Sequence, residues 1–276
     1  MQANLATEVV PYQRALSHRI DFTHRWYTSI RSTAIEISAG INWLSSLNQY
    51  SAALHLTNHL HHPIRFVPQD ELPGGTAYET YISQTGHVPT RDNLHDFFNA
   101  LVWLSMPNIK RQLNAVQATQ IECHGIGQTR GGVRDATTLF DENALLLAAR
   151  DHEAGHSLVN ALRNRQWHNA LWERRSAFIE HVEVWAFGHA LMEKLITPYK
   201  GITAHAWVVT VPNHYFSLPD AAKRHWLDIH VAAELAHSAL TTQCFTPLPV
   251  LGIPGWWPNQ DAAFYADANV FRPKRL

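Results

Sequence analysis

The stretch DNLHDFFNALVWL, residues 92–104, constrains this chain more than any other. At helical pitch Leu94, Phe97, Phe98, Leu101, Val102 and Leu104 share one broad apolar face, and Asp92, His95, Asp96 and Asn99 share the other. Trp103 falls in the middle of the polar set. Large aromatic side chains are seldom left in water, so the polar face is expected to be covered as well. Buried Asp, His and Asn must then be hydrogen-bonded or coordinate something. A structural network with Asp92 as the helix cap satisfies that demand. So does a site wall in which His95 and Asp96 act as base or ligand.

A helix enclosed on both faces needs a body around it, and the composition supplies one. Of 276 residues 46% are hydrophobic and 11% aromatic, which is globular rather than disordered. Charged residues are only 16%, against about 25% in an average domain. Twenty-two Lys and Arg balance 23 Asp and Glu, for a formal charge of −1. That argues against a general nucleic-acid binder or a polybasic membrane clamp. Two widely separated cysteines, Cys123 and Cys244, exclude a disulfide framework and fit two reduced thiols. The first residues show no apolar signal core. The most apolar run, residues 182–191, is broken by Glu183 and His189 and is shorter than the roughly 18 residues a membrane span needs. The expectation is a cytoplasmic protein without a membrane partner.

Nineteen histidines make helical ligand spacing a cheap coincidence here, since a given His finds another His, Asp or Glu at i±3 or i±4 nearly half the time. His230, Glu234 and His237 illustrate that background.

Along the chain, residues 41–54 form an amphipathic helix, 64–67 a short strand, and 76–84 a short helix stopped by Gly86. Thr90 and Asp92 offer caps for the 92–104 helix, and Pro107 separates it from a second helix over 108–122. VRDATTLF and ALLLAA then suggest a β-hairpin turning at Asp141-Glu142-Asn143. Helices follow over 153–164 and 169–195, then the strand AWVVTV and a helix from Asp220 to about Leu240. The last thirty-one residues carry five prolines and read as an extended tail. The fold class is α+β, mostly helical: a single large domain with a short β-hairpin and an extended Pro-rich C-terminal tail. Residues 1–62 read as an N-terminal helical appendage to a main domain of 63–276.

Four further constellations carry candidate chemistry. His152-Glu153-Ala154-Gly155-His156 fits HExxH, with Glu180 or Glu183 as third ligand of a zinc peptidase. Arg150 and Asp151 precede it, and Leu158, Leu162, Ala154 and Ala161 place both histidines on the solvated face, as on any surface helix. His189 and Glu193 are i,i+4 with small Ala186 and Ala190 beside them, and His205 follows closely. A hydrogen-bonded helix contact is the plain alternative. Arg163, Arg165, Trp167, Trp172, Arg174 and Arg175 mix basic and aromatic residues as a nucleic-acid surface does, and as an amphipathic helix end also does. Arg130, Arg134, Asp135, Asp141 and Glu142 cluster around the expected hairpin, with Asp135 a possible donor to the site. GxSxG, GxxxxGK[ST] and GxGxxG are absent, so hydrolase-elbow, P-loop and Rossmann readings have no support.

The strings RFVPQDELPGGTAYE, VPTRDNLHDFFNALVWL, RGGVRDATTLFDEN, FGHALMEKL, TAHAW and PLPVLGIPGWWP…FYADANVFRP resemble a bacterial family, domain of unknown function 3025. They reach from about Arg65 to Pro273. The resemblance implies a glycine after Asn143, where this chain has Ala144. It implies no activity. His95, Asp96, Asn99, Asp135, His189, Glu193 and His205 fall within these strings, and HEAGH falls outside them.

The function expected is therefore a metal-assisted hydrolase whose pocket lies between the 92–104 helix and residues 187–194. His95, Asp96, Asn99, His189 and Glu193 are its candidate catalytic residues, and His95, Asp96, Asp135, His189 and His205 the candidate ligands of a divalent metal. Its substrate is a small molecule or polymer of unspecified kind. The alternatives are an RNA- or partner-binding protein using residues 163–175, and the HExxH zinc peptidase.

Overall fold

The computed structural model describes residues 20–40, 42–125 and 131–274. Its elements in chain order begin with α1 (Arg31–Ser38), α2 (Trp43–Ala53), β1 (Arg65–Pro68), α3 (Tyr78–Thr85), β2 (His87–Thr90) and α4 (Leu94–Ser105). Then come α5 (Pro107–His124), α6 (Gly132–Asn143), β3 (Ala144–Arg150), α7 (Glu153–Arg163), α8 (Arg175–His181) and β4 (Val182–Ala186). The chain closes with α9 (His189–Lys194), β5 (Thr203–Val211), α10 (Asp220–His237), β6 (Thr246–Pro249) and α11 (Ala262–Tyr265).

The centre is α4. From Asp96 to Ser105 every residue is buried, polar face included. Its N-terminus is tied by side chains: Asp96 N donates to Asn93 Oδ1 (2.8 Å), and Arg91 N donates to Asp96 Oδ2 (2.6 Å). The cap is therefore Asn93 rather than Thr90 or Asp92, in a variant of the reciprocal capping box. Pro107 opens α5, whose first free N–H groups donate to Asp228 on α10. Gly86 closes α3 at φ +76°, a left-handed position that suits glycine.

A four-stranded sheet, order β4-β3-β5-β6, backs this helical layer, with β3 parallel to β5 and antiparallel to β4. Residues 144–149 of β3 are buried on both faces, which explains the uninterrupted apolar run ALLLAA. A second, two-stranded parallel sheet joins β1 to β2. Its outer edge is occupied: Phe66 N donates to Asn48 Oδ1, and Asn48 Nδ2 donates to Phe66 O, both at 2.8 Å. Among the described residues no helix is long and apolar enough to cross a membrane.

Three expectations are corrected. The hairpin does not form, because VRDATTLF is helix α6, which runs into β3 without a loop. Its β-branched content suggested a strand, yet the buried set Ala136, Thr137 and Phe140 has helical spacing. Thr137 returns its hydroxyl to Val133 O (2.7 Å), so the helix absorbs that polar group. The helix expected over 169–195 is instead a π-helical turn His168–Glu173, then α8, β4 and α9. Val182 to Ala186 pairs with β3, and that backbone pairing outweighs the apolar helical period. The tail is not merely extended: it supplies edge strand β6 and helix α11, and buries Leu251, Trp256, Tyr265 and Phe271.

Residues ahead of β1 join the same core. Trp26, Tyr27, Ile30, Ala34, Ile37, Trp43 and Leu47 belong to one apolar cluster with α4 and the four-stranded sheet.

Candidate active site

The site is built where α9 meets α4 and α6, and one glycine makes the meeting possible. A Cβ on Gly188 would stand 2.5 Å from both Asn143 N and Glu142 O, so only glycine lets the start of α9 lie against the end of α6. Gly188 N donates to Ala144 O at 2.9 Å across the same junction. On the other side, Tyr27 stacks on Phe98 of α4 and donates its hydroxyl to Met192 O of α9 at 3.0 Å. The two helices are thereby held in register.

Between them His95 and His189 stand with their Nε2 atoms 3.1 Å apart and their rings 77° from coplanar. His95 Nδ1 lies 3.1 Å from Glu193 Oε2, and a carboxylate can only accept, so the hydrogen is on His95 Nδ1. His189 Nδ1 lies 3.7 Å from Asp141 Oδ2, outside hydrogen-bond reach, and is an unpartnered buried atom among the described residues. Behind Asp141, Lys110 Nζ donates to Asp141 Oδ1 (2.6 Å) and Asn99 Oδ1 (2.8 Å), and sits over the Trp103 ring. Asn99 Nδ2 donates to the Tyr78 hydroxyl at 3.1 Å, and Asn114 Nδ2 to Glu79 Oε2 at 2.6 Å. A line of polar groups thus runs from half-exposed Glu193 and His95 to buried Lys110.

Burial grades their electrostatics. His189 is pushed down from 6.5 to about 4, chiefly because its charged form loses water; Lys110 and His95 add to the fall and Asp141 opposes it. Burial alone would raise Asp141, but Lys110 and His189 outweigh it and hold that carboxyl below its ordinary range. Glu79 is raised by burial and by Asp141, against the pull of Lys110. Tyr78 is raised well above its ordinary range by burial.

His95, Asn99, His189 and Glu193 are thus brought into one network, and the other sequence candidates are not. Asp96 is spent on Arg91, whose Nε lies 3.0 Å from it, and on the α4 N-terminus. Asp135 is exposed on the first turn of α6, six residues and about 9 Å along the helix from Asp141. His205 takes a hydrogen bond with Asn143 Nδ2 (3.1 Å) and meets the Phe245 ring edge-on. The five-residue metal set is therefore not assembled. Among the described residues no group of three or more His, Cys, Asp or Glu is arranged to hold a metal ion.

Sequence reasoning missed Lys110, Tyr78 and Glu79, and placed Asp141 in a turn. Lys110 did leave a signal: it shares a helical face with Leu113, Asn114, Gln117 and Ile121, all buried.

The HExxH geometry does not form. His152 is the N-cap of α7, its Nδ1 accepting from Ala154 N at 3.3 Å, and His156 pairs with Asp151 at 3.1 Å. Glu183, one proposed third ligand, pairs with Lys223. In the 163–175 stretch, Trp167 is buried with Nε1 donating to Arg272 O, Trp172 lies beside Tyr265, and Arg175 binds Gln260. Those two tryptophans pack against the C-terminal segment. Arg130 lies outside the described residues.

The family model described as "Protein of unknown function (DUF3025)" matches residues 64–275, most of the chain. The chain belongs to this family. The match spans every residue of the His95–His189 network, and it also runs through 152–156, so the HEAGH string lies inside the family region after all. No curated protein and no solved structure matches the chain.

Proposed function

We propose that this DUF3025 member is a hydrolase-type enzyme in which the His95–His189 pair moves a proton between substrate or water and the protein. The observation that carries the reading is the pair itself: two imidazoles in Nε2–Nε2 contact, with a carboxylate beyond each Nδ1. Four ring nitrogens lie in that line. With three ring hydrogens, His95 Nδ1 donates to Glu193, His189 Nδ1 turns its hydrogen toward Asp141 at 3.7 Å, and the inner two nitrogens share one. With two, a lone pair is turned toward a carboxylate. The pair therefore gains or gives up one proton with little rearrangement, as a general acid–base group requires. Burial disfavours a charge on His189.

Burying an ion pair such as Lys110–Asp141 is often no better for stability than apolar packing of the same volume. Strongly perturbed groups gathered around one half-exposed histidine favour a functional use. In this reading His95 is the catalytic residue that meets substrate, and Glu193 orients it. His189, Asp141 and Lys110 are positioning residues. Two exposed free thiols, Cys123 and Cys244, fit a reducing, cytoplasmic setting.

The test is a panel of chromogenic esters, phosphomonoesters and peptides, run with native protein and His95→Gln. Loss of about 10²–10⁴-fold in kcat/KM is expected. Hydrolysis that survives His95→Gln and His189→Gln alike would reject the assignment. So would histidine nitrogen shifts showing two independently titrating rings.

A further inference from the structure

A polar concavity lies at the far end of α4 from the histidine pair. Its floor is Leu104 and Ser105, ten residues from His95 and about 15 Å along the helix axis. Arg111 on α5, Arg224 and His225 on α10, and His55 beyond α2 bring four basic side chains to a space of about 400 Å³. Tyr50, Leu54 and Leu56 form an apolar wall on one side.

The one carboxylate there is already used. Asp228 is buried, and its two oxygens accept from Asn108 N (3.2 Å), Asn108 Nδ2 (2.7 Å) and Ile109 N (2.9 Å). It covers the start of α5, so that helix end is not what is on offer. The guanidinium groups are only partly engaged. Arg111 donates to Asn108 Oδ1 (2.9 Å), and Arg224 to Ser29 O (3.2 Å) and Ser32 Oγ (3.1 Å). Among the described residues neither is within ion-pair distance of a carboxylate. Arg111's field is felt nearby: His59 is held below its ordinary range by burial first and by Arg111 second.

Two arginines anchored through neutral acceptors, with further N–H groups free, are suited to a multidentate oxyanion. A dianion matches two fixed charges on different helices better than a monoanion does. The apolar wall and the volume call for an organic body attached to it.

We propose that this pocket binds a small organic phosphate monoester, its phosphate between Arg111 and Arg224 and its apolar body against Tyr50 and Leu54. The proposal does not rest on catalysis at His95.

Isothermal titration of the full-length protein with phenyl phosphate at low salt tests it. One-to-one binding with a Kd at or below about 1 mM is expected. Arg111→Gln and Arg224→Gln should each weaken it about tenfold or more. Leu54→Glu changes a half-exposed rim residue, and should weaken binding similarly by placing a carboxylate beside the guanidinium groups. Benzoate, with the same ring and one charge, should bind more weakly. The absence of saturable heat overturns the proposal. Benzoate binding as tightly as phenyl phosphate overturns the ligand class. An affinity unchanged in Leu54→Glu overturns the location, and remains decisive if an arginine variant does not fold.

Discussion

Lys110 Nζ lies 2.6 Å from Asp141 Oδ1, and both side chains are largely withdrawn from water. Taking one partner away leaves the other charged and buried without compensation, so Lys110→Met should cost about 3–5 kcal/mol in urea unfolding. Replacing both, as Lys110→Met with Asp141→Leu, should return more than half of that loss, because an apolar pair of similar volume needs no solvation. A double variant as unstable as Lys110→Met alone would mean that packing, not charge, dominates this position.

His189 predicts a pH dependence with a definite sign. Its folded value is about 4 against 6.5 in the free side chain, so below pH 6.5 the unfolded chain takes up a proton that the folded one refuses. Its contribution to stability is complete above pH 6.5 and is lost as the pH falls toward 4. The full excursion is about 3 kcal/mol. The difference in unfolding free energy between native protein and His189→Gln should shrink by about that amount between pH 7 and pH 4. A constant difference would show that His189 titrates as it does in the unfolded chain.

The amide of Asn48 closes the free edge of β1 by giving and taking one hydrogen bond with Phe66. Asn48→Leu leaves both Phe66 backbone groups without that partner, and should cost about 2–4 kcal/mol by thermal or urea unfolding. Asn48→Asp keeps an acceptor for Phe66 N but turns an oxygen toward Phe66 O, so it should be damaging too. An exposed edge also invites pairing with another chain, and size-exclusion chromatography should show more association for Asn48→Leu than for the native protein.

Trp103 made the covered polar face of α4 legible before any coordinates: its own burial, with that of Asp96 and Asn99, follows from one aromatic residue in the wrong place for a surface helix. Helix ends marked by Gly86 and Pro107 were legible for a local reason, since glycine accepts the left-handed closing turn and proline removes an N–H that would have no partner; Asp220 adds a negative charge to the first turn of α10. The inner half of the site was not legible. Asp141 stands on the last turn of a helix whose Thr and Val content imitates a strand, so its carboxylate could not be aimed. Strand β4 was hidden because pairing with β3 is a long-range choice, and Val182 to Ala186 suits either period.

Gly188 is the position where fold and site meet, and Gly188→Ala separates them experimentally. The added methyl would meet Glu142 O, Asn143 N and Ala144 N, all backbone atoms where α6 runs into buried strand β3, and none can turn aside as a flexible side chain would. The strain must be relieved by lifting α9 away from α6. That movement carries His189 and Glu193 away from Asp141 and His95, while Tyr27 and Phe98 still hold the other side. The expected cost in stability is about 1–3 kcal/mol, typical of overpacking. Any hydrolytic activity should fall in kcat far more than that loss of folded protein explains, because His95 then has no partner at Nε2. Gly74→Ala and Gly132→Ala add a methyl that meets nothing among the described residues, and serve as controls in the same unfolding and activity assays. If Gly188→Ala matches those controls in both, the close contact between α6 and α9 is not what holds the histidine pair together.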